Sequence, residues 1–288
     1  MKPGADMALA PLRIAGDAPR VIVTRPEREA QAWAHSLQAL GVQCESLPLI
    51  DIAGLQDPSP LTSAWQAVPH HLAVMFVSAN AVRHFMAARP AGWPIQPCRA
   101  WSTGPGTRAA LLAEGWPAEL IDSPDETAPQ FDSEALWALV APRVIEARRG
   151  IDFVGGKTAV PAPAVVLIVR GADADGQLAG RDWLAMQMES AGIQVLQTVA
   201  YVRRAPRLSE AQKNRARQAM SDGSWWLFSS SEAAQHLLQA CPDLSLDRAK
   251  ALATHPRIAL RLKQWGWMCV DLVPAGLEAQ ALSIKSMA

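Results

Sequence analysis

Val21-Ile22-Val23 is an unbroken apolar run closed by Thr24-Arg25, and Val166-Leu167-Ile168-Val169 is a second one closed by Arg170. Apolar runs without polar alternation suit strands buried on both faces of a parallel sheet, so each is read as a strand ending in Arg at a turn. From Glu27 to Leu40 the apolar period becomes helical, with Ala30, Trp33, Ala34, Leu37 and Leu40 on one face, and Gly41 supplies the stop. A short strand follows near Val42 to Leu47, then a second helical stretch, then a central strand from Leu72 to Val77. Asn80 to Ala88 is helical, Arg99 to Thr103 is a strand, and Gly104-Pro105-Gly106 opens a helix from Thr107 to Gly115, with Pro105 in a first-turn position. Glu119 to Asp122 closes as a last strand. Strands alternating with helices imply an α/β chain with parallel five-stranded sheets covered on both faces, in three α/β/α layers.

The pattern recurs. Gly41 and Gly192, Phe76 and Phe228, and Pro105 and Pro256 stand 151, 152 and 151 residues apart. Around them Phe76-x-Ser78-x-x-Ala81-x-x-His84 matches Phe228-x-Ser230-x-x-Ala233-x-x-His236. Thr103-x-Pro105 with Gly115-Trp116 likewise matches Thr254-x-Pro256 with Gly266-Trp267. Three blocks that keep one offset indicate two similar domains made by internal duplication. Two extended segments, Pro48 to Ile52 and Val199 to Arg204, read as connectors. Arg148 to Pro163 reads as a flexible loop or linker between the copies.

Composition narrows the function. Half of the 288 residues are hydrophobic, and 27 basic residues balance 27 acidic ones. A buried core is therefore expected, and a dedicated nucleic-acid binder, which needs a basic excess, is not. Four cysteines without a C-x-x-C pair and six histidines without ligand spacing argue against a zinc site or a disulfide framework; no metal is expected. No stretch is long enough for a membrane span and the first 19 residues carry no clean signal-peptide pattern, so a cytoplasmic protein with a flexible N-terminus is expected.

Several motifs have a bland reading that wins. Gly156-Lys157-Thr158 resembles the end of a phosphate-binding loop, but position 151 is Ile151 where glycine is required. Gly104-x-Gly106-x-x-Ala109 resembles a dinucleotide fingerprint, but its repeat mate Thr254-His255-Pro256-Arg257 has no glycine. The tryptophans, Trp225-Trp226, Trp265 and Trp267 among them, are read as core packing. His84 and His236, equivalent in the repeat, are read as sharing a structural role on their helices, and His70-His71 as a solvated turn.

The turns carry the better signal. At the carboxyl ends of parallel strands, free backbone N–H groups at helix N-termini accept anions. Here those ends hold Arg25, Ser78 and Asn80, the Gly104-Pro105-Gly106-Thr107 turn, Arg170 with Gly171, Ser229 with Ser230, and Thr254, His255 and Arg257. Each Ser or Thr alone is an ordinary cap. Together they favour an anion-rich small molecule, with two facing domains able to line a cleft. No nucleophile-and-base pair accompanies them, but Tyr201, the single tyrosine, lies in a connector, and its protonated phenol can donate to a departing oxygen.

Taken in order, the blocks Val21 to Pro26, Phe76 to Val82, Gly104 to Thr107, Asp132 to Leu136, Val169 to Gly171, Tyr201 to Arg204, Phe228 to Ser230 and Thr254 to Ile258 resemble the uroporphyrinogen-III synthase family. The resemblance implies a strand-exchanged arrangement. Residues 20–49 and 204–288 would form one domain and 53–199 the other, joined by a two-stranded connector in which 48–53 and 199–204 pair. It implies cyclisation of hydroxymethylbilane to uroporphyrinogen III, with loss of water and inversion of ring D through an azafulvene and a spiro intermediate. It implies no cofactor and a monomer, with hydroxymethylbilane synthase able to hand over the substrate. Tyr201 would assist departure of the hydroxyl, and Ser78, Thr107 and Ser229 would line the substrate. Arg257 and Ile258 stand where some members carry two threonines, so only backbone donation and an Arg257 contact carry over at that turn. The same donor-rich turns would also serve a non-catalytic two-domain binder of an anionic small molecule.

Overall fold

The computed structural model describes residues 20–95, 98–124, 133–154, 164–178 and 183–287, with the backbone alone at 149–154. The N-terminal 19 residues, Asp132 and the Gly156-Lys157-Thr158 motif lie outside the described residues. In chain order the elements are β1 (Val21–Val23), α1 (Glu27–Ala39), β2 (Cys44–Ser46), β3 (Asp51–Gly54), α2 (Ser59–Ala67), β4 (Ala73–Phe76), α3 (Ala79–Ala87), β5 (Arg99–Ser102), α4 (Pro105–Ala113), β6 (Ile121–Asp122) and α5 (Ser133–Val154). They continue as β7 (Val165–Ala172), α6 (Trp183–Ser190), β8 (Gln194–Arg204), α7 (Glu210–Ala219), β9 (Trp225–Phe228), α8 (Ser231–Ala240), β10 (Lys250–Ala253), α9 (Pro256–Gln264), β11 (Cys269–Leu272) and α10 (Leu277–Lys285).

The chain divides into two compact units, residues 1–51 with 205–288 and residues 52–204. In the first unit the sheet order is β11-β10-β9-β1-β2, all neighbours parallel, so the first two strands lie beside the last three. Val21, Val23, Leu227 and Leu252 pack with Ala30, Leu37 and Ile284 in one cluster. Trp226 and Phe228, two residues apart, pack edge-on against Trp267. Gly41 ends α1 at φ 81°, the left-handed stop that its place after the helical period predicts.

In the second unit the order is β3-β8-β7-β4-β5-β6. The sheet has six strands where five are expected, because Asp51–Gly54, in the first connecting segment, pairs with β8, which carries the second, and so adds a strand to the sheet. Side chains alternate between two clusters. Val74, Phe76, Leu167 and Val169 pack with Trp65, Phe85 and Trp116, while Ala73, Met75, Val166 and Ile168 pack with Leu136, Val140 and Leu184. Period-two alternation with apolar residues on both sides places helices on each face, which is the three-layer arrangement.

Two further expectations are corrected. Helix α5 runs to Val154, so residues 148–154 are helix and not linker. The reason lies in its face: Leu136, Val140 and Val144 are buried at four-residue spacing, and Arg148, next on the stripe, donates from Nη1 to the Ala191 carbonyl at 3.1 Å. Tyr201 is no connector residue either. Strand β8 is 11 residues long and carries it inside the sheet, opposite Gly171 of β7.

Candidate functional site

In each unit the turns singled out above fall at the carboxyl edge of a parallel sheet, since neighbouring parallel strands end on the same side. In the second unit, β4 ends at Phe76 and the chain turns through Val77 and Ser78 into α3. Ser78 is extended (φ −163°, ψ 161°) and its Oγ accepts the Ala81 N–H at 3.1 Å, a conventional N-cap. The same Oγ lies 3.0 Å from the Tyr201 hydroxyl. The phenol reaches it through an irregularity in the β7–β8 pairing. Arg170 faces Val199 but Gly171 faces Tyr201, so Ala200 is an extra residue on β8. The Tyr201 ring then lies so close to Gly171 that a Cβ there would meet Cζ at 2.5 Å. No residue with a side chain fits at 171 without displacing the phenol. The His84 imidazole from α3 stacks on the ring with centroids 5.7 Å apart and planes 24° apart. Tyr201 is 5% exposed. Burial, with the Arg83 guanidinium adding to it, holds His84 below its usual range, so a neutral imidazole faces the phenol at neutral pH.

The other predicted residues of this unit divide. Gly104 is buried and extended, and its carbonyl accepts from the N–H groups of Thr107 and Arg108 and from Ser102 Oγ. Thr107 is buried in the first turn of α4, and Gly106 is exposed with no protein atom near its missing Cβ. Asn80 Oδ1 accepts from Arg83 Nη1 at 2.9 Å. Arg170 does not stand at a turn. Strand β7 continues past it to Ala172, it is 2% exposed, and Nη1 donates to Gln197 Oε1 at 2.7 Å. The apolar run before it was legible in the sequence, but the continuation of the strand through the bulge was not.

The first unit presents a different edge. Thr24 is buried, and its hydroxyl ties β1 to β9 by donating to the Leu227 carbonyl at 2.7 Å. Arg25 follows, its guanidinium 4.1 Å above the Trp33 ring. Its Nε is buried without a hydrogen-bond partner. Burial pushes its pKa down to about 10, partly offset by Glu29. Trp33 is itself fixed: Nε1 donates to Gln280 Oε1 at 2.7 Å, and the fully buried Gln280 donates from Nε2 to the Pro274 carbonyl at 2.8 Å. A desolvated guanidinium with an unmade hydrogen bond is suited to a carboxylate. At the next turns Ser229 is half-buried, and Ser230 Oγ caps α8 through the Glu232 N–H at 3.2 Å. The N–H of half-buried Thr254 donates to the Phe228 carbonyl. Exposed His255 caps α9, its Nδ1 accepting from the N–H of exposed Arg257 at 3.1 Å.

The family model described as "Uroporphyrinogen-III synthase HemD" matches residues 31–283. This chain belongs to the uroporphyrinogen-III synthase family. The uroporphyrinogen-III synthase of Synechococcus elongatus is 28% identical over 119 residues, covering 40% of this chain and 43% of that protein. The alignment thus spans less than half the length of that relative. Among solved structures, the uroporphyrinogen-III synthetase of Helicobacter pylori is similar at TM-score 0.56 and 17% identity, covering 94% of this chain and 99% of that one. A mutant uroporphyrinogen III synthase of Thermus thermophilus is similar at TM-score 0.50 and 17% identity, covering 93% and 98%. At such identities the structural likeness establishes the fold, an α/β chain with parallel sheets. The family match begins after Val21 to Pro26, so Arg25 lies ahead of it.

Sequence reasoning missed three residues of this geometry. His84 stacks on a ring 117 positions away, and Trp33 is held by Gln280 at a separation of 247 residues. Only the apolar-face placement of a buried polar Gln280 on α10 was available as a local signal. Among the described residues, no helix is long and apolar enough to cross a membrane.

Proposed function

We propose that this protein is a uroporphyrinogen-III synthase, cyclising hydroxymethylbilane with loss of water and inversion of ring D. The observation that carries the reading is the family match across residues 31–283. The substrate's carboxylates suit the Arg25 guanidinium and the turns that carry Ser229, Ser230, Thr254, His255 and Arg257 in one unit, and Asn80, Gly104, Gly106 and Thr107 in the other. Tyr201 acts as the proton donor to the departing hydroxyl. The remainder of catalysis is positioning, which fixes the end of the chain that closes.

Family membership and the blocks recurring at one offset support an internal duplication with the first strand pair exchanged between the halves. In this reading the protein is a cytoplasmic monomer that receives its substrate from hydroxymethylbilane synthase. The decisive experiment incubates purified protein with enzymically generated hydroxymethylbilane and separates the isomers. Uroporphyrinogen III is the expected product, and isomer I alone would overturn the reading. Ligand protection of both units without turnover would favour the non-catalytic anion binder.

A further inference from the structure

We infer that Ser78 is a positioning residue that turns the Tyr201 proton outward, and not a substrate ligand. The inference rests on the proposed cyclisation and concerns the two hydroxyls 3.0 Å apart. Ser78 Oγ already accepts the Ala81 N–H. An oxygen that accepts a hydrogen bond becomes a better donor, because the bonds of a chain polarise one another in the same direction. The chain that follows runs from Ala81 N–H to Ser78 Oγ, and from the Ser78 O–H to the Tyr201 oxygen. The phenol's own proton is then free to point away from α3. In the reverse orientation Tyr201 would donate to Ser78, and its proton would be engaged inside the protein.

The same chain prepares for charge. As the substrate's hydroxymethyl C–O bond breaks, its electron pair leaves on oxygen and the adjacent pyrrole nitrogen feeds the carbon, giving an azafulvenium cation. Tyr201 transfers its proton to that oxygen and water departs. The phenolate left behind accepts the Ser78 O–H, which is backed by the Ala81 N–H at the positive end of the nine-residue helix α3. When ring closure ends with loss of a proton from a pyrrole carbon, that proton returns to the phenolate, and one water is the only by-product. Gly171 and His84 hold the ring at the required place, the one by leaving no room for movement and the other by stacking.

Tyr201 is the only tyrosine in the chain, so protein labelled at tyrosine 13Cζ gives a single resonance that reports its hydroxyl directly. The experiment pairs that spectrum with kcat and KM for Ser78→Gly, Ser78→Thr, Tyr201→Phe and the Ser78→Gly/Tyr201→Phe double variant. Glycine caps a helix almost as well as serine, so Ser78→Gly removes the hydroxyl with only a few tenths of a kcal/mol lost at the cap. In Ser78→Gly we expect kcat to fall about 10- to 100-fold at constant KM, the fold-change of one lost hydrogen bond to a charged oxygen. The 13Cζ resonance moves, Ser78→Thr restores both readouts, and the double variant is no slower than Tyr201→Phe. A rise in KM at constant kcat, a full Ser78→Gly loss persisting in the Tyr201→Phe background, or an unmoved resonance overturns the inference while the cyclase reading stands. Wild-type protein that forms isomer I alone overturns both.

Discussion

The two sheet edges are built from equivalent residues and offer opposite chemistry. Ser78 and Ser230 occupy the same place in two matching sequence motifs, and both cap a helix. In the second unit the capping oxygen also meets a buried phenol. In the first unit the position that matches Tyr201 is the buried aliphatic Ile50, which has no hydroxyl to offer. The equivalent histidines diverge in the same way. His84 stacks on Tyr201, whereas His236 places Nδ1 2.8 Å from the Leu49 carbonyl and so secures backbone just ahead of Ile50. What the first unit has instead is charge, in a guanidinium that is desolvated, laid on Trp33 and short of one hydrogen bond. The surroundings of Tyr201 are therefore suited to moving a proton, and those of Arg25 to holding an anion. Substitutions around Tyr201 should act on kcat, and those at Arg25 on KM.

The largest expected effect is that of Gly171→Ala. Its Cβ would meet the Tyr201 ring at 2.5 Å, and the neighbouring atoms belong to a side chain enclosed by His84 and Ser78, so relief requires moving the phenol. Overpacking of this kind costs about 1–3 kcal/mol. We expect a lower thermal midpoint together with a kcat loss of about 100-fold or more, the scale of a misplaced general acid. Gly106→Ala is the contrast for stability: nothing lies within 4 Å and the site is helical, so the midpoint should hold or rise slightly. A Gly171→Ala protein with wild-type kcat would show that the phenol's placement does not distinguish the two edges.

A smaller effect is expected on the other side. Arg25→Ala should raise KM about tenfold with little change in kcat, as when one charge-assisted hydrogen bond to a carboxylate is lost from ground and transition states alike. Steady-state kinetics with enzymically supplied hydroxymethylbilane separates the two constants. A drop in kcat at constant KM would erase the division of labour.

These residues also mark where local pattern stops being informative. The stops at Gly41 and Gly192, both at φ near 80°, and the caps at Ser78 and Ser230 depend on neighbours within a few positions, and the sequence displays them openly. The pairing of Asp51–Gly54 with β8, the extra residue at Ala200 and the Gln280 hold on Trp33 depend on segments brought together from far along the chain. Arg170 illustrates the boundary. Its apolar run read correctly as a strand, but the strand's end was misplaced by two residues, and that displacement turns a ligand candidate into a buried partner of Gln197. Register decides which face a side chain takes, and register is not a local property.

The smallest expected effect is a pH dependence that arises at His84 of the second unit. Burial first, and Arg83 second, hold His84 below its ordinary value of 6.5. His71 of the same unit is lowered too, by burial and then by His70. For a base whose folded pKa is depressed, the unfolded chain binds the proton first. As pH falls through 6.5 the unfolded state therefore takes up protons that the folded state refuses, and stability declines until the folded-state pKa is passed. The thermal midpoint should drop on going from neutral pH to about pH 5. His84→Gln, which cannot take up that proton, should show a shallower drop, the remainder belonging in part to His71. Differential scanning calorimetry of wild type and His84→Gln at both pH values checks this. An identical drop in wild type and His84→Gln would mean that the imidazole stacked on Tyr201 is not what makes the phenol's surroundings sensitive to acid.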